Sequence, residues 1–217
     1  MKEKAQFSPI YIFAALYVIG VYTFLPLFFL LNKDAAQAQS QAEYSEQSVG
    51  FPLLIPVILG VINLIAVIAL RKHTTREQLL NCALAVKYAL VPFYIMGAFV
   101  IAVALLLMFT PIVIMVFLGP AIAGTFSAAG WIIMVGTAPF SIGYLVRARD
   151  EGIHHRTLCK IAGVLQFFFA ADVISMMVLA FKEKKWIKTT VFLLLILIAG
   201  LSIITIWGLI KAVGAIL

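Results

Sequence analysis

Charge is what this sequence has least of. Only 12% of its 217 residues are Asp, Glu, Lys or Arg, against about a quarter in a soluble globular chain. With 64% hydrophobic residues and a mean hydropathy of +1.12, the chain has too little polar surface to cover an apolar interior in water. That deficit excludes an ordinary soluble domain. Catalytic signatures are lacking too: there is no Walker loop, no Gly-rich dinucleotide fingerprint, no His-Glu-x-x-His and no Gly-x-Ser-x-Gly, so phosphate-handling and common hydrolytic mechanisms find no support. Cysteine is limited to Cys82 and Cys159, both beside basic loops expected to face the cytoplasm, where thiols stay reduced. An inert buried thiol is the expectation for each, with S-acylation as the alternative near a membrane surface.

The charges that do occur sit in short segments between long apolar runs. An α-helix rises ~1.5 Å per residue and the hydrocarbon core is ~30 Å thick, so about 20 apolar residues cross it. The pattern therefore predicts an all-α polytopic transmembrane helical bundle of about six spans, forming a single membrane-embedded domain over residues 1–217. The spans are expected at 7–31, 51–70, 86–109, 122–145, 161–181 and 189–210. The first apolar run is longer than the ~7 to 15 residues of a signal h-region, so a retained span is expected there despite the small-residue tract at Ala36-Gln37-Ala38. The loop from Asn32 to Gly50 is poor in Lys and Arg and is read as external and flexible.

Two features inside the apolar runs stand out. Residues 110–146 carry no charge and are interrupted by Gly119-Pro120 and Pro139. A re-entrant or interfacial piece at 111–120, ahead of the span at 122–145, is the preferred reading, because non-helical backbone at depth needs protein or trapped water around it. Gly119 and Pro120 are then either a hinge beside a ligand site or an ordinary kink. Before the third span, Thr74 or Thr75 can cap a helix, since Thr74-x-x-Glu77 has capping-box spacing.

Orientation follows from the positive-inside bias. Six spans with a cytoplasmic N-terminus put eleven of the sixteen Lys and Arg residues inside and leave Lys33, Lys182, Lys184, Lys185 and Lys188 outside. The last four strain the rule. Seven passes, or a re-entrant 161–181, are the competing layouts. The net charge of +7 is explained by basic loops at helix ends, so no nucleic-acid partner is expected. Those loops are expected to meet the anionic headgroups of the lipid bilayer.

Asp172 is the leading candidate functional residue. In a straight span from Ile161 to Phe181 it lies near the middle, where insertion of a carboxylate costs ~2.5 to 3.5 kcal/mol and the group faces a partner, the bundle interior or a water-filled cavity. It reads either as a proton, cation or substrate site, or as a protonated structural group bonded to a neighbouring helix. Lys87 is expected to snorkel to the surface rather than pair with it, being about three residues outside the hydrocarbon when Asp172 is ~16 Å deep. On one straight helix Gln166 points about 120° away from Asp172, whereas Ser175 is its neighbour at i+3; both can bond between helices. Binding residues are thus expected among Asp172, Gln166, Ser175, Gly119 and Pro120. His73, His154 and His155 lack the spacing of a ligand set, so no metal and no cofactor are expected.

Arg71-Lys72-His73, Arg76 and Val86-Lys87-Tyr88 before Pro92, together with Gln166-Phe167-Phe168-Phe169 and Asp172-Val173-Ile174-Ser175 ahead of the lysine cluster, resemble small multi-span membrane proteins of unassigned function from Gram-positive bacteria. The resemblance covers under a third of the chain. It implies a bacterial cytoplasmic membrane and brings no activity. Three functions follow as expectations: a small transporter or channel component; a noncatalytic accessory or assembly subunit with a membrane-protein partner or as a homo-oligomer; and an intramembrane enzyme, which requires a second reactive group beside Asp172.

Overall fold

A computed structural model describes residues 8–23, 54–109 and 113–196. The described residues are all-α with no strand. In chain order the helices are α1 (Ile10–Thr23), α2 (Leu54–Ala69) with a 3-10 turn at Leu70–Lys72, α3 (Arg76–Leu107), α4 (Val113–Asp150), α5 (Arg156–Leu165), α6 (Ala171–Lys182) and α7 (Ile187–Ile196). The loop expected at 32–50 and residues 197–210 of the last expected span lie outside the described residues.

Three elements are long and apolar enough to cross a membrane: Leu54–Lys72, Arg76–Leu107 and Val113–Asp150. At ~1.5 Å per residue, the 32 residues of α3 and the 38 of α4 run to roughly 48 and 57 Å, well beyond a ~30 Å hydrocarbon core. These two pack against each other, and α4 also packs on α2 and α5. The core sits in one half of the α3–α4 pair. Leu80, Leu84 and Leu90 of α3 and Ile133, Met134 and Phe140 of α4 are fully buried, whereas Phe99, Leu106, Val113 and Phe117 towards the other end are exposed.

α1 joins this core through Ile10, Ala14, Tyr17 and Val21, all buried and spaced to form one stripe on a helix. The Tyr17 hydroxyl donates to the Ile133 carbonyl at 2.6 Å. Gly136, one turn on, leaves the space the Tyr17 ring fills, because a Cβ there would overlap it. α2 meets α4 at a second small-residue contact: a Cβ on Gly60 would lie 3.0 Å from Gly136 Cα, and Asn63 Nδ2 donates to the Gly136 carbonyl at 3.2 Å. Glycine is required at 136 because two helices approach it at once.

The α3 start corrects one expectation by a residue. Thr75, not Thr74, is the N-cap, accepting from the Gln78 N–H while Gln78 Oε1 accepts from the Thr75 N–H. Thr74 is buried and instead donates to the Leu70 carbonyl at 2.9 Å, closing the turn before the cap.

Two larger expectations also change. The break expected around 111–120 does not form: α4 is helical from Val113 through Gly119, Pro120 and Pro139 to Asp150. A proline costs one internal hydrogen bond and a kink, and Gly119 repays it with close packing, since a Cβ there would strike the Ala104 carbonyl of α3. Conversely, 161–181 is not one helix. It breaks between Leu165 and Ala171, with Ala170 at φ 61°.

The chain divides at Met176 into two compact units. The unit from Met177 carries the rest of α6 and α7, with Lys184 and Trp186 at positive φ in the turn between them.

Candidate functional site

The break ahead of α6 creates the site. Gln166, Phe167 and Phe168 close tight turns onto the carbonyls three residues back, and Ala170 in the left-handed region redirects the chain. Asp172 therefore stands in the first turn of α6 rather than in mid-helix. The difference is chemical. A helix start offers N–H groups with no intrahelical acceptor and a partial positive charge, and Asp172 Oδ1 accepts from the Val173 N–H at 2.6 Å.

Its other oxygen answers Lys87. Lys87 Nζ donates to Asp172 Oδ2 at 2.7 Å, with side chains only 1% and 2% exposed. Sequence reasoning placed these residues at different depths and so missed the pair. That estimate assumed a straight 161–181 helix, and the broken one brings Asp172 to α3. The only advance signal was the isolation of two opposite charges in apolar surroundings, each too costly to leave alone.

Gln166 and Ser175 also come together. Gln166 Nε2 donates to Ser175 Oγ at 2.9 Å and to the Ala162 carbonyl at 3.0 Å, and Ser175 Oγ donates to the Asp172 carbonyl at 2.9 Å. The 120° separation expected on one straight helix disappears because the residues belong to opposite sides of the break. This bridge ties the end of α5 to the start of α6. Gln166 Oε1 remains buried without a hydrogen-bond partner, as does the Tyr94 hydroxyl. Tyr94 lies two turns beyond Lys87 on α3, within electrostatic reach of Asp172 and Tyr17.

Gly119 and Pro120 are not part of this group. Gly119 faces Ala104, seventeen residues and so roughly 25 Å along α3 from Lys87. Their role is helix packing.

The basic loops converge at one end of the first unit. Arg76 Nε lies 3.0 Å from Glu151 Oε2, Arg71 Nη2 lies 3.7 Å from Asp150 Oδ2, and Arg147 Nη2 donates to the Arg71 carbonyl. His155 caps α5, its Nδ1 accepting from the Thr157 N–H, and His154 bonds Tyr144 at 3.0 Å. No group of three or more metal-ligating side chains occurs among the described residues. Cys82 and Cys159 are buried free thiols. Burial pushes the Cys159 thiol up, and Arg149 opposes that shift.

A family model of unknown function, DUF6652, matches residues 8–185, a stretch holding every residue of this site. The chain belongs to the DUF6652 family. No curated protein and no solved structure matches it. The DUF6652 match ends beyond the Lys87–Asp172 pair and the Gln166–Ser175 bridge, so both fall within the part of the chain that defines the family.

Proposed function

We propose that this DUF6652 member is a multi-pass protein of the cell membrane and a small transporter or channel component, with the Lys87–Asp172 pair as its proton or cation site. α2, α3 and α4 cross the bilayer in this reading. The basic end that holds Arg71, Arg76 and Arg147 faces the cytoplasm, in keeping with the positive-inside bias and with a cytoplasmic N-terminus. Lys87 is eleven residues into α3 from Arg76, about 16 Å at ~1.5 Å per residue, which sets the pair near the bilayer midplane.

The observation that carries the reading is a fully buried ion pair at a helix break, beside two polar atoms that lack partners. Broken helices and intramembrane charges mark ion and proton pathways in transporters. A proton taken up by Asp172 removes the attraction holding α6 to Lys87. The break between α5 and α6 can then respond to a single charge, with Tyr94 and Gln166 as the polar groups nearest to relay it.

A noncatalytic accessory or assembly subunit is the second reading, favoured by the completeness of the pair: Asp172 has Lys87 on one oxygen and an N–H on the other, so it needs no ligand. Lys87 also meets the requirement of an intramembrane enzyme for a second titratable group beside Asp172. That reading gains little, because the apolar groove between α2 and α4 and the smaller one beside Pro9 are lined by other residues.

Reconstitution separates the first two readings. Purified protein in liposomes should move protons, monovalent cations or a small solute, and Asp172→Asn should stop the movement while the protein stays folded. The exchanged pair Lys87→Asp with Asp172→Lys should restore stability in either case, but transport only if the charges act as a mere clamp. Absence of flux across a broad panel, together with stable co-purification of a membrane partner, would replace transport with the accessory role.

A further inference from the structure

α2 and α4 enclose a groove of ≈ 580 Å³ that the ion pair does not touch. The two helices meet closely at Gly60 and Gly136, and on either side of that contact Val57, Val61, Leu64 and Ile142 form an open apolar trough. From Arg147 back to Trp131, both of which line it, α4 advances roughly 24 Å, more than the ~15 Å depth of one leaflet.

Its two ends differ. At one end Trp131 Nε1 donates to the Phe167 carbonyl at 3.2 Å. At the other stand Arg71 and Arg147. The acidic groups near that mouth are already engaged: Glu151 by Arg76, and Asp150 by Arg149 at 2.8 Å, with Arg71 3.7 Å away. Arg147 gives one N–H to the Arg71 carbonyl, and a guanidinium has five. Arg71, 65% exposed at its side chain, and Arg147 thus offer donor forks suited to a phosphate at the mouth of an apolar trough.

We infer that this groove holds one anionic phospholipid, an acyl chain between α2 and α4 and the phosphate on Arg71 and Arg147. The inference rests on the membrane reading but not on transport. Charge complementarity selects the occupant: a helix from another protein would need acidic residues at this end, whereas an anionic lipid supplies charge and chain together. Each Lys or Arg near a membrane surface is worth about 1 kcal/mol towards anionic lipid, so two arginines give roughly a tenfold preference or more over a zwitterionic lipid.

Trp131 reports occupancy from within the groove. The full chain carrying Trp186→Phe and Trp207→Phe, which leaves Trp131 as the single tryptophan, is placed in nanodiscs of phosphatidylcholine. Phosphatidylglycerol with brominated acyl chains is titrated in, and brominated phosphatidylcholine serves as the comparison. Phosphatidylglycerol should reach half-maximal quenching at about one tenth the mole fraction. Arg71→Gln with Arg147→Gln should abolish the preference, and Val61→Phe, which fills the trough but keeps the arginines, should reduce quenching by both lipids. Equal quenching by the two lipids in the parent, or a preference that survives loss of both arginines, overturns the proposal. So does a trough closed to both lipids by a second copy or another helix. A chain that fails to float with liposomes and stays dispersed in plain buffer would instead overturn the membrane reading beneath it.

Discussion

Lys87 and Asp172 are 85 residues apart in the chain and 2.7 Å apart in the fold. Removing one partner of a buried pair leaves an uncompensated charge and costs ~3 to 5 kcal/mol, whereas replacing both with apolar residues of similar size is often neutral or better. Lys87→Met and Asp172→Leu are therefore each expected to destabilise the protein by about that amount, with the double variant recovering most of the loss. Unfolding in mild detergent measures all three. Single variants as stable as the parent would mean that the pair does not form.

How much of this was legible beforehand depends on whether a signal was local. The start of α3 was visible in its Thr-rich turn, and only the choice between Thr74 and Thr75 failed, because both threonines have a cap-compatible residue three positions on. Asp172 and Ser175 stood out as polar residues in an apolar run. The break before α6 was hidden, since Gln166 to Ala170 contains neither Gly nor Pro and Ala170 gives no warning of a positive φ. The Lys87 pairing was lost with it. Gly119-Pro120 misled in the opposite direction: strong punctuation locally, it is absorbed into α4 because Ala104 of a distant segment leaves room only for glycine.

Gly136 should be the least replaceable glycine of the helix core. A Cβ there meets the Tyr17 ring, and overpacking of this kind costs ~1 to 3 kcal/mol. Gly136→Ala should also displace the Tyr17 hydroxyl from the Ile133 carbonyl, so Tyr17→Phe should cost less in that background than in the parent, where it removes a bond worth about 1 kcal/mol. A double-mutant cycle in detergent reads the difference. Strict additivity would show that Tyr17 and Gly136 do not share the contact.

Ala170 offers a test of the break itself. A left-handed conformation costs a residue with a Cβ roughly 1 to 2 kcal/mol, while glycine loses about 0.5 to 1 kcal/mol more backbone entropy on folding. At φ 61° the first term exceeds the second. Ala170→Gly should stabilise by about 0.5 kcal/mol, and Ala171→Gly at the start of α6 should destabilise by up to about 1 kcal/mol. Destabilisation by both substitutions would imply that α5 and α6 form one continuous helix.

Cys159 yields a pH dependence with a defined sign. The thiolate is the form that alkylates, and burial disfavours it, so the folded-state pKa lies above the ordinary thiol value of about 8.5. In a Cys82→Ser background, which leaves Cys159 as the single thiol, labelling by a maleimide should be slow at neutral pH and keep accelerating above the point where a free thiol levels off. Arg149 works against the shift by favouring the negative form. Arg149→Ala should therefore raise the pKa further and slow labelling at a pH of about 8, while leaving the rate at full ionisation unchanged. An equal slowing at every pH would trace the effect to altered access. No change at any pH would show that Arg149 does not act on this thiol.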